Sequence, residues 1–331
     1  MPEKAVLTMV VVEAYDLTKI FASRAGKHVV VALEGLNMAV PQGEVYGLLG
    51  PDGSGKSTLF RTLFGLVKPN AGECYINGLQ PSNPRSRGNI GFLPEKPQFP
   101  GHLTARQFLN LAGQLFGMKS SDIDDRTELL LEQFDLHRWP DLRIKHFSKG
   151  LIQKVGVAQS LITDPDVIIL DEPFDGLDER NKAELTKAID KVRSEAKTII
   201  MSSHHRSNVE NLADRIGIIK KGKIIRTINI AAIREEKCMY EIEANIGHVV
   251  FEIPEEVGKK VRVATDSMIV ELTRAEMINK VIDEIRIKGV NIKSVKPMNT
   301  KLEQSYYESI EEPPEPKYEV KSYVPGEKVK V

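Results

Sequence analysis

The hydrophobic pattern changes period several times along the chain, and each change marks an element. Residues 9–15 (MVVVEAY) and Val29 to Leu33 read as strands, and Val45-Tyr46-Gly47-Leu48-Leu49 is a third, entered by a turn at Val40 to Glu44. Ser57 to Phe64 then takes helical spacing. Gly72 to Gly78 is a short strand ending in an Asn-Gly turn, and Asn89 to Glu95 is another, halted by Pro94. Lys96 to Gly101 is a rigid loop with two prolines, Pro97 and Pro100. Phe108, Leu109, Leu111, Ala112 and Leu115 recur with helical period, as do Leu129, Leu130, Leu131 and Phe134. A further helix is predicted over 147–163, with Ser148 as its N-cap.

Val167-Ile168-Ile169-Leu170 is apolar without alternation, the mark of a strand buried on both faces of a parallel sheet. Asp175 to Asp178 turns into a helix at 179–195, the strand Thr198 to Ser203 ends at His204, and 216–225 reads as a closing hairpin. From Cys238 the pattern is different. Short strands at 239–244, 268–272 and 291–295 and one helix at 275–288 predict a second, smaller α+β domain, with another helix at 302–310. The last stretch carries Pro313, Pro314, Pro316 and Pro325 among mixed charges, a composition that disfavours a packed core. The expected division is therefore 9–230, with a helical insert at 96–160, then 238–310, then a disordered tail at 311–331.

A length of 331 residues accommodates two domains. Lys plus Arg equals Asp plus Glu at 46 each, so no global field recruits nucleic acid and no such partner is expected. Cys74 and Cys238 form no CxxC pair, which argues against a zinc site or disulfide framework and fits a reducing, cytoplasmic setting. Cys74 reads as a small buried hydrophobe. The longest apolar stretch, Ala5 to Val12, falls far short of the roughly 20 residues that cross a bilayer.

The chemistry concentrates in Gly50-Pro51-Asp52-Gly53-Ser54-Gly55-Lys56-Ser57-Thr58, a GxxxxGK[ST] loop between a strand and a helix. Its three glycines let backbone N–H groups curl around a phosphate, facing the positive end of the helix dipole. Lys56 can reach the β- and γ-phosphates, and the Ser57 hydroxyl can ligate Mg²⁺. Asp171 and Glu172 end a buried strand, where paired carboxylates are costly unless they meet a metal or a proton. Phe21 or Tyr15 can lie against a purine ring, or equally pack into the core.

Together these stretches resemble the ATP-binding subunit of an ABC transporter over residues 9–230: a P-loop NTPase core with an antiparallel β subdomain and a helical insert, α/β in class. Phe21 matches the aromatic loop, Gly50 to Ser57 Walker A and Val167 to Glu172 Walker B. Phe147 to Gln153 looks like the signature motif, Gly176-Leu177-Asp178 like the D-loop, and His204 like the switch histidine. The resemblance implies ATP and Mg²⁺ as cofactors, with Asp171 on the metal, Glu172 as general base and His204 at the γ-phosphate. It implies that Ser148 and Gly150 face ATP held by a second subunit, identical or paralogous. It also implies a separate membrane permease, met by the loop from Glu95 through the insert, with Phe99, Leu103, Phe108 and Phe116 as candidate contacts, although helical spacing favours the core for most of them. Such a subunit sits in the cytoplasm at the inner face of the cell membrane. The extension after residue 238 resembles that of the export branch. Three positions depart from the family. Glu95 replaces a glutamine and is a candidate ligand to Mg²⁺, Lys149 replaces a signature glycine, and Asp52 replaces an asparagine. The competing readings are a soluble ABC-type ATPase acting on ribosomes or DNA, and a weakly hydrolysing nucleotide sensor.

Overall fold

A computed structural model describes residues 9–22, 29–231, 238–244, 253–264 and 266–297. The helix expected at 302–310 and the tail at 311–331 lie outside the described residues. The chain divides into two compact units, which part between Thr227 and Ile228.

In the first unit, β1 (Val10–Ala22), β2 (Val29–Pro41), β3 (Val45–Leu49) and β4 (Ala71–Ile76) follow one another, with α1 (Lys56–Leu63) between the last two. Strands β2, β1 and β4 form an antiparallel sheet in that order. Both β1 and β2 run well past the expected 9–15 and 29–33. The reason is a bulge that polar residues disguise as a strand end. Asp16 takes a φ of 46°, its N–H donates to Asn37 Oδ1 at 3.0 Å, and Asn37 Nδ2 returns a bond to Asp16 Oδ1 at 3.0 Å. The ladder shifts register there and resumes beyond it.

The second sheet has the order β5-β6-β7-β3-β8-β9, from β5 (Ile90–Leu93), β6 (Val167–Leu170), β7 (Thr198–Ser203), β8 (Arg215–Lys220) and β9 (Lys223–Asn229). From β5 to β8 every neighbouring pair is parallel. Strands β3, β6 and β7 are buried at every residue; the unbroken apolar run of β6 is the clearest mark of this, and β7 buries Thr198, Ser202 and Ser203 as well. Helix α1 sends Leu59, Phe60 and Leu63 into a core shared with Leu33, Leu36, Val40 and Leu48, all within 1 % of full burial. Each such side chain contributes about 1.5–3 kcal/mol by leaving water, so this seam anchors the loop in front of α1. Cys74 is buried in the same core, and burial pushes its thiol up to about 11.

After the short α2 (Pro84–Arg87), the insert supplies α3 (Ala105–Leu115), α4 (Ser120–Gln133) and α5 (Lys149–Ser160). Thr104 and Gln107 close a capping box on α3. Phe99 and Phe108 pack against each other with ring centres 4.7 Å apart and planes tilted by 42°, whereas Phe116 is 46 % exposed. Helices α6 (Glu179–Ser194) and α7 (Arg206–Glu210) complete the unit.

The second unit is an antiparallel sheet of order β11-β12-β10-β13, made of β10 (Cys238–Ala244), β11 (Gly258–Val263), β12 (Ser267–Leu272) and β13 (Ile292–Pro297). Helix α8 (Ile278–Ile287) places Val281 and Ile285 on a core with Ile242, Met268, Val270 and Leu272. Strand β11 is one the pattern did not predict. Its sequence, GKKVRV, alternates too weakly, and edge strands of this kind carry lysine in place of apolar residues.

Candidate active site

Strands β6, β7 and β3 are consecutive in the sheet and parallel, so their carboxyl ends open at one edge. Leu49 pairs with Ser203, and Leu170 with Met201. The residues that follow those strands, Gly50 onward, Asp171-Glu172 and His204, are brought together by that register alone. Open α/β sheets bind ligands at this place.

The loop is built to expose N–H groups. Gly55 stands before α1 at φ 111°, a left-handed conformation, and α1 has no side-chain cap. A Cβ on Gly55 would run into the Ala32 carbonyl and lie 3.2 Å from Leu33 Cδ2. The uncapped first turn of α1 therefore opens onto the loop with its donors free of a side-chain cap. Ser54 is buried and its Oγ has no hydrogen-bond partner, a polar atom that suits a phosphate oxygen or a water. Asp52 stands exposed at the loop tip. Pro51 accepts from Ser54 N at 3.2 Å, and Thr58 accepts at its carbonyl from Thr62 Oγ1 at 2.8 Å.

Lys56, 6 % exposed, donates from Nζ to the carbonyls of Gly50 at 2.7 Å and Pro51 at 3.2 Å. The same ammonium lies 3.3 Å from Glu172 Oε1. That oxygen receives charge compensation but no aligned hydrogen bond, and it is buried without a hydrogen-bond partner. Glu172 Oε2 is in the opposite situation. It takes His204 Nδ1 at 3.0 Å and the His204 backbone N–H at 3.3 Å. The two oxygens of one carboxylate are thus differentiated: Oε2 is held and Oε1 is available.

Ser202 organises both acids. Its Oγ donates to Asp171 Oδ1 at 2.7 Å and accepts from Glu172 N at 2.8 Å, with the residue fully buried. The second bond helps hold Glu172 at φ 49°, a conformation costly for a side-chain-bearing residue and common where function demands it. Motif reading missed Ser202, although a Ser-Ser pair closing an apolar strand was a visible irregularity. Burial pushes the Asp171 carboxyl up, hydrogen bonds from Ser202 and Ser57 oppose that, and the charges of Glu172 and Glu95 reinforce it. A hydroxyl and a carboxylate in contact are an oxygen donor set that suits Mg²⁺, which commonly takes its remaining ligands from water and phosphates. No cluster of three or more acidic, histidine or cysteine side chains forms a complete protein cage among the described residues. Glu95 is partly exposed, with its carboxylate 3.5 Å from Lys96 Nζ, and reaches Asp171 through its charge.

The other predicted residues stand apart from this cluster. Phe21 ends β1, 42 % exposed, with Lys19 Nζ 5.0 Å from its ring centre. Tyr15 is also exposed, its hydroxyl donating to Glu13. Ser148 is the N-cap of α5, accepting from Leu151 N at 3.3 Å, and Gly150 lies buried in its first turn. Asp178 caps α6 through Asn181 N at 2.8 Å. Ser148, Gly150 and Asp178 thus form a second group at two helix N-termini.

Residues 33–175 match the ABC transporter family. An ABC transporter ATP-binding protein of Synechocystis sp. is 34% identical over 245 residues, covering 72% of this chain and 69% of that protein. The lantibiotic transport ATP-binding protein SrtF of Streptococcus pyogenes is 40% identical over 193 residues, covering 58% of this chain and 82% of its own. Among solved structures, a dimeric post-hydrolysis state of an ATP-binding cassette bound to ADP and Pi superposes with a TM-score of 0.61 at 25% identity, over 66% of this chain and 98% of that one. The chain accordingly is an ABC ATPase and belongs to the ATP-binding subunits of the ABC transporter family.

Proposed function

We propose that this subunit closes with a second copy or a paralogue around two Mg-ATP and so drives a separate membrane permease, as an exporter. The observation that carries the reading is the convergence of Lys56, Ser57, Asp171, Glu172 and His204 at the carboxyl ends of β3, β6 and β7. The loop N–H groups and Lys56 hold the phosphates. Asp171 and Ser57 would hold Mg²⁺, with the Glu95 charge close enough to act on the same site. Bound there, the metal would supply neutralisation of the phosphate charge.

Glu172 Oε1 accepts the proton of the attacking water. The new bond joins the water oxygen to the γ-phosphorus, the bond to the β-γ bridging oxygen breaks, and ADP and phosphate leave. His204 holds Glu172 through Oε2 and stands at the γ-phosphate. Phe21 stacks on adenine, an exposed ring beside a lysine. Ser148, Gly150 and Asp178, set apart on α5 and α6, serve the ATP of the opposing subunit. The half-exposed Phe116 and its neighbour Leu115, 80 % exposed, support a docking role for the insert. Attachment at the inner face of the membrane runs through the permease; no described helix is long and apolar enough to cross a membrane. The name of the streptococcal relative makes lantibiotics the first cargo to test.

The test is the ATPase rate against protein concentration for wild type and Glu172→Gln, with ATP-induced dimerisation followed by light scattering. Turnover that rises with concentration in wild type, together with a stable ATP-bound dimer that does not hydrolyse in the variant, is the expected result. Wild-type turnover in Glu172→Gln overturns the base assignment, and a strictly monomeric, concentration-independent rate overturns the sandwich.

A further inference from the structure

The first residue of α5 and the turn after Glu172 are joined by an ion pair that the hydrolytic scheme leaves unused. Lys149 Nζ donates to Asp175 Oδ2 at 2.8 Å. On the way its stem crosses Gly176, which sits at φ 64°. A Cβ there would lie 2.9 Å from Lys149 Cε and 3.1 Å from its Cδ, so any side chain would displace the lysine.

A second contact runs the opposite way. Asn181, from the first turn of α6, fills the space beside Gly150, where an added Cβ would lie 2.7 Å from Asn181 Cγ. Its Nδ2 donates to Asp178 Oδ1 at 2.8 Å. Lysine over glycine on one rung and asparagine over glycine on the other interlock α5 with the segment leading into α6. That segment is also tied to the base, because Asp175 N donates to the Glu172 carbonyl at 3.1 Å. The Asp175 carboxyl is held below the usual carboxylate range by the hydrogen bond from Lys149, with further lowering from the Lys149 charge and those of His204 and His205. The junction therefore lies within the field of the catalytic cluster.

We propose that Lys149 is a positioning residue for hydrolysis: through Asp175 it fixes the turn behind Glu172 to the helix that carries Ser148 and Gly150, so base and cap move as one body. This rests on Glu172 being the general base. The lysine that replaces a signature glycine is, on this account, directed at its own subunit and not at a phosphate. Both partners are about half exposed, so the pair adds little to folding stability, and its role is to be read in turnover.

The experiment is steady-state ATP hydrolysis by the full chain carrying Lys149→Gln, Asp175→Asn, Lys149→Arg, or the charge swap of Lys149→Asp with Asp175→Lys. Each neutral variant is expected to lower kcat about threefold to tenfold with KM for ATP within about twofold of wild type. Lys149→Arg should keep the wild-type kcat, and the swap should exceed either neutral variant, as pairwise coupling demands. Wild-type kcat in both neutral variants overturns the proposal, as does a swap no better than the single changes. A raised KM in Lys149→Gln alone also overturns it, since that assigns the ammonium to the nucleotide. Melting curves establish folding; should Asp175→Asn not fold, the contrast between Lys149→Gln and Lys149→Arg decides the question. Glu172→Gln is assayed alongside. Wild-type turnover in it removes the base assignment, whereas the pair is judged on the swap.

Discussion

Asp171 shows at the scale of one residue how function opposes stability. Its carboxyl lies in the interior, and its proton affinity is raised chiefly by burial. For an acid whose folded pKa exceeds its unfolded one, the folded state binds more protons in the window between the two. Stability therefore falls as pH rises through that window, and the cost is complete above the folded value. At neutral pH the carboxylate is a net burden on the nucleotide-free protein, compensated in the working state by a cation. Asp171→Asn keeps an acceptor for Ser202 Oγ while removing the charge. It is expected to raise the stability of the nucleotide-free protein by about 1 kcal/mol and to lose most of the stabilisation by Mg-ATP. Thermal melts with and without Mg-ATP check both halves; a variant that melts lower without nucleotide contradicts the argument. The two acids were legible in the sequence because four apolar residues ended on them. Ser202, which positions both, was not, because a serine in a strand has no pattern of its own.

At the scale of elements, Ser148 is asked to do two things. Its side chain caps α5, accepting from Leu151 N, and in the proposed dimer its hydroxyl meets a phosphate. The two roles separate by substitution. Ser148→Ala removes the cap and should cost about 1 kcal/mol. Ser148→Asp keeps a capping acceptor at a helix N-terminus, so its melting temperature should stay near that of wild type, but it sets a carboxylate against the phosphate and should lower turnover at least tenfold. Melting curves and ATPase rates on the two variants decide it: normal turnover in the aspartate variant would remove Ser148 from the phosphate. Elements with strong periodicity and clear caps, such as α3, α5 and α6, were readable from the chain. The strands that misled were those in which polar residues have local work. Asp16 turns a bulge in the middle of β1, and the lysines of β11 guard a sheet edge.

At the scale of the whole molecule, the decisive fact is that, among the described residues, each of the two units has an apolar core of its own. One is built around α1 and the two sheets of the first unit, and the other lies between α8 and the sheet of β10 to β13. Every residue proposed to touch nucleotide belongs to the first unit. Ligand that binds only the native state stabilises only the cooperative unit that binds it, by about 2.7 kcal/mol at a hundredfold excess over Kd. Calorimetry of the Glu172→Gln protein, in which ATP is not consumed, is therefore expected to give two unfolding transitions. Mg-ATP should move the one that belongs to residues 9–227 and leave the other in place. The melting of the second unit can be assigned independently by weakening its core with Ile285→Ala, a fully buried aliphatic whose truncation should cost about 2–5 kcal/mol. If the nucleotide-insensitive transition is the one that drops, the second core folds on its own account and takes no part in holding ATP. If both transitions move with Mg-ATP, or only one is seen, the small unit is energetically part of the nucleotide machine, and the extension must then be counted in its coupling to the permease.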